Sequence, residues 1–132
     1  MRFTGKLSFE HRANKNRTSE SDTTDKFNII MLLYEKFSLI GLTGEMIPIP
    51  DGGPDRYRLP DITIPQKNIV IELDGAIHGF GDKISKKKRD VYRDEDYKTA
   101  GYKLIIVNKE TTKGYRKDLV ETVFLENGLR YN

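Results

Sequence analysis

The chain has 132 residues, which suits one domain with a modest hydrophobic core. It has no cysteine, so disulfide bonds, thiolate nucleophiles and cysteine-based zinc sites are excluded, and a reducing cytoplasmic location is expected. The net charge is only +3, from 23 basic and 20 acidic residues, but both signs are clustered along the chain.

Residues 1–20 are predicted to form a flexible or irregular N-terminal arm, because they are polar and show no hydrophobic period. A short edge strand through Phe3, Leu7 and Phe9 is the alternative for its start. No apolar run is long enough to cross a bilayer, and no signal-peptide core is visible, so no membrane partner is expected. Residues 21–132 are predicted to form a single domain.

Apolar residues at helical spacing predict a first helix at about residues 23–38. N-cap candidates precede it, and Gly41 and Gly44 follow it. The next segment, residues 45–50, is typical of an edge strand cut short by prolines. Residues 51–55 combine glycine, proline and aspartate and predict a turn.

Residues 58–75 predict a β-hairpin, which organises the rest of the chain. Strand side chains alternate between faces, so Glu72 and Asp74 share one face of the strand. The other face carries Ile69, Ile71 and Leu73. If residues 65–68 connect the strands, Asp61 lies directly across from Glu72, with Cβ atoms about 5 Å apart. Three carboxylates then crowd one patch of the sheet.

Like charges directly across a strand pair destabilise the sheet by roughly 0.2–1 kcal/mol, so another interaction must stabilise these carboxylates. A raised pKa, a nearby lysine or arginine, or a bound hard cation can do so. Mg²⁺ suits the patch, because it accepts such a set of carboxylate oxygens while keeping several waters. In the alternative interpretation, the acids only solvate the polar face of a half-exposed hairpin.

The second half of the chain predicts a glycine-rich loop at 76–82, a helix at about 84–100 and a buried strand at 102–108. A final helix begins at Thr111 or Thr112 and ends near residue 127. A strand that follows a helical crossover runs parallel to a hairpin strand, so we expect an α/β fold with a mixed sheet flanked by helices.

Basic residues flank the acidic hairpin in the sequence. They are Arg58 at its start and Lys86, Lys87, Lys88 and Arg89 after it. Such a run beside an acidic cluster suits DNA, because the cations neutralise phosphates while the acids hold a metal ion. The alternative for the run after the hairpin is a solvated helix start. Arg58, together with Arg56, either clamps phosphate or only balances the local acids.

The motifs in this region form an ordered set. They are Pro60-Asp61, Glu72-Leu-Asp74-Gly75-x-x-His78, Asp90-x-x-Arg93-Asp94 and Gly101-Tyr-x-Leu-Ile-Ile-Val. This set resembles the PD-(D/E)XK nuclease superfamily, and more narrowly its very-short-patch-repair branch and related small phage and homing endonucleases. The resemblance implies a restriction-endonuclease-like αβββαβ core with a mixed four-stranded sheet, here followed by an extra C-terminal helix. It also implies a metal-dependent DNA endonuclease that uses Mg²⁺, with Mn²⁺ as a substitute.

Family roles transfer by position to three candidate catalytic residues: Asp61 and Glu72 would hold the metal ion, and His78 would be the active-site histidine. Asp74 is a fourth candidate, as either a further metal ligand or the residue that fixes the Gly75 turn. The candidate supporting residues are Asp25 or Glu20, Asp90, Arg93 and Lys98.

One position departs from the superfamily pattern, because Asp74 stands where the Glu-x-Lys motif has its lysine. Either His78 acts as a general base, for which an ordinary histidine pKa near 6.5 is suitable, or a lysine such as Lys98 reaches in from the helix. Two alternatives to the simple endonuclease stay open. One is a dimeric resolvase of four-way or branched DNA, and the other is a DNA-binding module without catalysis. A homodimer is likewise an open alternative.

Overall fold

The structure is a computed structural model that describes residues 20–50, 56–75, 82–109 and 112–132. Its elements, in chain order, are α1 (Glu20–Phe37), β1 (Ile47–Pro48), β2 (Tyr57–Arg58), β3 (Ile62–Ile64), a 3-10 turn (Pro65–Lys67), β4 (Ile69–Asp74), α2 (Asp82–Thr99), β5 (Lys103–Asn108) and α3 (Lys117–Glu126). The protein is therefore mixed α/β, as predicted. The predicted arm lies outside the described residues except for Glu20, which begins α1, and the predicted 51–55 turn lies outside them too.

The central hairpin has the predicted register. β3 and β4 are antiparallel, with Ile62 opposite Ile71 and Ile64 opposite Ile69. The connection is the short 3-10 turn, and Asn68 closes it with a φ of 52°, which asparagine tolerates better than most residues. β5 lies parallel to β4 over its whole length, as expected for a strand that follows the helical crossover α2.

The predicted single sheet of four strands is not what the described residues form. β3, β4 and β5 make a three-stranded sheet, and β1 and β2 make a separate antiparallel pair. On the other side of β3, Leu42 forms a one-residue bridge with Thr63 through two hydrogen bonds of 2.8 Å. Pro60 lies between β2 and β3 and has no N–H to donate, so a continuous ladder through both strands is interrupted there.

The three-stranded sheet is covered on both faces. The isoleucine face of the hairpin packs against buried side chains of α1 and α3, such as Leu33 and Phe124. On the opposite face, Val70 packs with Ile47 and with Tyr97 of α2. The face that carries Glu72 and Asp74 therefore lies under α2, where desolvation acts on its charges.

The last helix starts later than predicted. The sequence placed its start at Thr111 or Thr112, whereas α3 begins at Lys117. Lys113, Gly114 and Tyr115 have φ values of 50°, 81° and 63°, and such a run of left-handed residues cannot belong to a right-handed helix. Tyr115 is instead placed to donate its hydroxyl to the Asp74 carbonyl oxygen at 2.8 Å, which ties this turn to the end of β4.

Within the described part of the chain, no helix combines the length and the apolar character that crossing a bilayer requires.

Candidate functional site

Asp61 and Glu72 lie together at the end of the hairpin. The Asp61 backbone N–H donates to Glu72 Oε1 at 3.3 Å, and the Leu73 backbone N–H donates to Asp61 Oδ2 at 2.7 Å. The β3–β4 register extends by one residue to bring these two carboxylates into opposition. The structure thus brings together the two residues that the sequence put forward as metal ligands.

Glu72 carries an unusual charge environment. Burial, reinforced by the negative charge of Asp61, raises the pKa of Glu72 to about 7, although the Tyr97 hydroxyl and the Arg93 guanidinium act in the opposite direction. Burial beside Asp61 therefore favours the protonated form of Glu72 more than water does. A cation that binds both carboxylates would restore the ionised form.

Tyr97 holds Glu72 from the α2 side. It is fully buried, and its hydroxyl donates to Glu72 Oε2 at 2.9 Å. Burial and the adjacent Glu72 raise the pKa of Tyr97, so the phenol stays neutral and keeps its donor. Tyr97 therefore packs in the core and also orients a candidate metal ligand.

Lys26 of α1 places a cation beside Asp61. Its Nζ lies 2.9 Å from Asp61 Oδ1, and its side chain is only 14% exposed. Lys26 was not among the candidate site residues predicted from the sequence. The available signal was its place at i, i+3 and i+7 with Ile29 and Leu33, which puts a lysine on the apolar face of an amphipathic helix.

Asp74 is engaged by Arg93. Arg93 Nη1 donates to Asp74 Oδ1 at 3.2 Å and Nη2 donates to Oδ2 at 3.0 Å. The same Nη2 donates to Asp90 Oδ1 at 2.8 Å, which is an i, i+3 ion pair within α2. Arg93 is only 8% exposed, so the pairing offsets charges that have lost most of their water. Both carboxylate oxygens of Asp74 thus accept from Arg93, and its two predicted roles, a further metal ligand or the residue that fixes the Gly75 turn, stay predictions.

The other sequence-predicted residues divide into three groups. Lys98 pairs with Asp94 at 3.0 Å and is 71% exposed, so the structure does not bring it to the site as predicted. Arg58 pairs with Asp96, and Asp25 is half-buried on α1 beside Lys26. Outside the described residues lie His78 and the side chains of Glu20, Lys86, Lys87, Lys88 and Arg89.

The donor set can be compared with the needs of a metal ion. Among the described residues, no group of three or more acids or histidines is placed to hold one. Asp61 and Glu72 supply two carboxylates, and protein sites commonly give Mg²⁺ one or two, with waters and substrate phosphates completing its shell. The pair therefore fits Mg²⁺ bound together with a phosphate, and fits an all-protein cage poorly.

Comparison of the chain with models of protein families, with curated proteins and with solved structures finds no match. The resemblance to the PD-(D/E)XK superfamily accordingly stays a prediction from the sequence motifs. What the protein does is inferred below from the chemistry of the Asp61–Glu72 pair and its neighbours.

Glu72 makes the stability of the protein depend on pH. The pKa of Glu72 is raised in the folded state, so protonated Glu72 adds to the free energy of unfolding in full below pH 4.5. That contribution is lost as the pH rises through about 7. We expect unfolding at pH 8 in EDTA to require up to about 3 kcal/mol less than at pH 5 from this group. Urea denaturation across that range measures the difference.

The control for this pH series is Glu72→Gln, which keeps a hydrogen-bond acceptor for Tyr97 but cannot ionise. Its stability should change less between pH 5 and pH 8 than that of the wild type. Identical pH dependence in the two proteins would show that Glu72 titrates normally.

Proposed function

We propose that the protein is a Mg²⁺-dependent DNA endonuclease that hydrolyses phosphodiester bonds. The observation that supports this most directly is the pairing of Asp61 and Glu72 on adjacent strands, beneath α2 and beside Lys26. The mixed sheet with helices on both faces is compatible with an αβββαβ core. In that core, β2 and β3 would count together as one strand that is interrupted at Pro60, ahead of β4.

The chemistry explains why these groups belong together. A phosphodiester is anionic and resists attack by water, so hydrolysis needs positive charge, an activated water and a proton for the leaving oxygen. A Mg²⁺ ion held by Asp61 and Glu72 would supply positive charge and lower the pKa of water, and Mn²⁺ is expected to substitute for it. We expect one firmly bound ion, because Asp74 is held by Arg93.

The remaining groups would act around that pair. Tyr97 orients Glu72 through its hydroxyl, and the Leu73 N–H orients Asp61. Lys26 places an ammonium group beside Asp61, where it can offset charge on a bound phosphate. It would thereby replace the lysine that the Glu72-x-Asp74 motif lacks. The proposed proton-transfer role of His78 stays a prediction from the sequence.

Lys26→Met is expected to reduce cleavage about 100-fold, because a positive charge aimed at the reacting phosphate is lost. The Mg²⁺ concentration needed for half-maximal rate should not rise, since Asp61 loses a competing cation. Initial rates over a Mg²⁺ series measure both quantities. Lys26→Arg, which keeps the charge, is the matched control and should retain more activity than Lys26→Met. A methionine variant as active as the wild type would remove Lys26 from the mechanism.

The proposal is tested by incubating the purified protein with supercoiled plasmid in Mg²⁺, in Mn²⁺ and in EDTA. We expect nicked or linear products with either metal ion and none with EDTA. Mismatched and four-way-junction substrates are included, because a structure-selective resolvase would ignore plain duplex. Light scattering then separates the two, since a resolvase needs two symmetric sites. Absence of cleavage on every substrate would overturn the endonuclease.

A DNA-binding module without catalysis is the second candidate. It is favoured by the ammonium of Lys26, which already neutralises Asp61, and by the small number of carboxylates that the described residues bring together. Salt-sensitive DNA binding that persists in EDTA, together with no cleavage under any divalent ion, would support it over the endonuclease.

A further inference from the structure

Two arginines contact one carboxylate of α2. Arg56 directly precedes β2, and Arg58 lies in it. Arg56 Nη2 lies 2.6 Å from both carboxylate oxygens of Asp96. Arg58 donates from Nε to Asp96 Oδ2 at 2.8 Å, and its Nη2 lies 2.8 Å from the same oxygen. Burial alone would raise the pKa of Asp96, but the two guanidinium groups outweigh it and hold the pKa below its ordinary value.

This cluster has an excess of positive charge. Two guanidinium groups face one carboxylate, so one positive charge is left over, and Arg56 is about half exposed, at 48%. Arg56 makes its contacts with Asp96 through Nη2 alone, so Nη1 and Nε have no hydrogen-bond partner among the described residues. Guanidinium donors in this planar arrangement match the geometry of a phosphate.

The cluster of Arg56, Arg58 and Asp96 is close in the chain to two parts of the candidate site, Asp61 and the tyrosine that holds Glu72. Arg58 is three residues before Asp61, which limits their Cα separation to about 10 Å. Asp96 directly precedes Tyr97, the residue that donates to Glu72, and the charge of Arg58 reaches the Tyr97 hydroxyl. A DNA strand carries one phosphate per roughly 3.4 Å of helix axis, so a strand at Asp61 brings a further phosphate within reach of the arginines.

We propose that Arg56 and Arg58 form a clamp for a DNA backbone phosphate adjacent to the one that is hydrolysed, an inference that rests on the proposed endonuclease function. Asp96 holds the two side chains in place before DNA binds, which lowers the conformational cost of ordering them. Arg56 contributes its unused donors. The contact reads the backbone and not the bases, so it gives affinity without sequence preference.

A purely structural role for the cluster makes a different prediction. If the two ion pairs only tie β2 to α2, removing one of them changes stability and leaves DNA affinity alone. If they form a phosphate clamp, DNA affinity and its salt dependence change, and the thermal midpoint of the half-exposed Arg56 variant stays close to that of the wild type.

The experiment measures binding of a labelled mixed-sequence DNA duplex in EDTA over a series of salt concentrations. Arg56→Gln is expected to bind about tenfold more weakly, and the slope of log affinity against log salt should shrink by about one. Arg56→Lys should keep a slope near that of the wild type, because the charge remains. Arg130→Gln is the matched control, since Arg130 lies near the starts of β4 and β5, away from Glu72.

Cleavage of plasmid is measured in parallel, so the two proposals can fail separately. Cleavage by the wild type together with an Arg56→Gln variant that binds like the Arg130→Gln control would overturn the clamp and leave the endonuclease standing. Binding that depends on Arg56 without any cleavage would support a phosphate contact at Arg56 but overturn the endonuclease, and with it the placement of that contact beside a hydrolysed phosphate. A wild-type protein with no affinity for DNA would overturn both.

Discussion

Asp61→Asn should lower Mg²⁺-dependent cleavage by at least about 100-fold, because it removes one of the two carboxylates that the described residues bring together for the proposed metal ion. The asparagine oxygen can still accept from the Leu73 N–H, so the hairpin should keep its geometry. The change therefore separates charge from structure. Initial rates on supercoiled plasmid, with circular dichroism to confirm folding, measure the effect.

Asp118→Asn is the matched control for Asp61→Asn. Asp118 lies on α3, and its ion pair with Arg116 is exposed. Loss of one negative charge there should leave cleavage unchanged, since an exposed ion pair contributes little and lies on an element that supplies no site residue. Equal rates for Asp61→Asn and Asp118→Asn would mean that Asp61 holds no metal ion.

Arg93→Met should destabilise the protein by about 3 kcal/mol, because it leaves the carboxylates of Asp74 and Asp90 without the guanidinium that pairs them. The side chains of Arg93 and Asp74 are each about 90% buried, so water cannot fully replace the lost contacts. Urea denaturation at pH 7 measures the loss. Methionine keeps much of the apolar stem of the arginine, so packing changes little.

Two further variants show whether the effect comes from removing a guanidinium beside buried carboxylates. Arg116→Met breaks the exposed pair with Asp118 and should cost no more than about 0.5 kcal/mol. The double variant Arg93→Met with Asp74→Asn should recover part of the stability that Arg93→Met loses, because one of the two carboxylates that lost the guanidinium no longer carries a charge. If Arg93→Met is as stable as Arg116→Met, the buried-pair interpretation is wrong.

The hairpin and its pair of acids could be predicted from sequence because both depend on local geometry. Strand side chains have a period of two, and a one-residue slip would move Glu72 to the isoleucine face of the sheet and the isoleucines to the face of the acids. Only one register satisfies this pattern with a four-residue connection, and the structure has that register. The parallel placement of β5 followed in the same way from the crossover helix before it.

The partners of the acids were decided by packing between distant elements. Lys26 reaches Asp61 because α1 lies against the sheet, and Arg93 reaches Asp74 because α2 covers its other face. Neither contact is encoded in a spacing along the chain. Lys98 was suggested as a replacement for the missing motif lysine, but its side chain lies on the solvent side of α2.

The sequence by itself therefore determined the mixed α/β class, the hairpin register and the pairing of Asp61 with Glu72. Tertiary structure decided that the sheet divides into two and that the cation beside Asp61 is Lys26. It also decided that Asp74 pairs with Arg93. The physical reason is that hydrophobic periodicity specifies one element and its faces, whereas the neighbour of a charged side chain depends on how those faces pack.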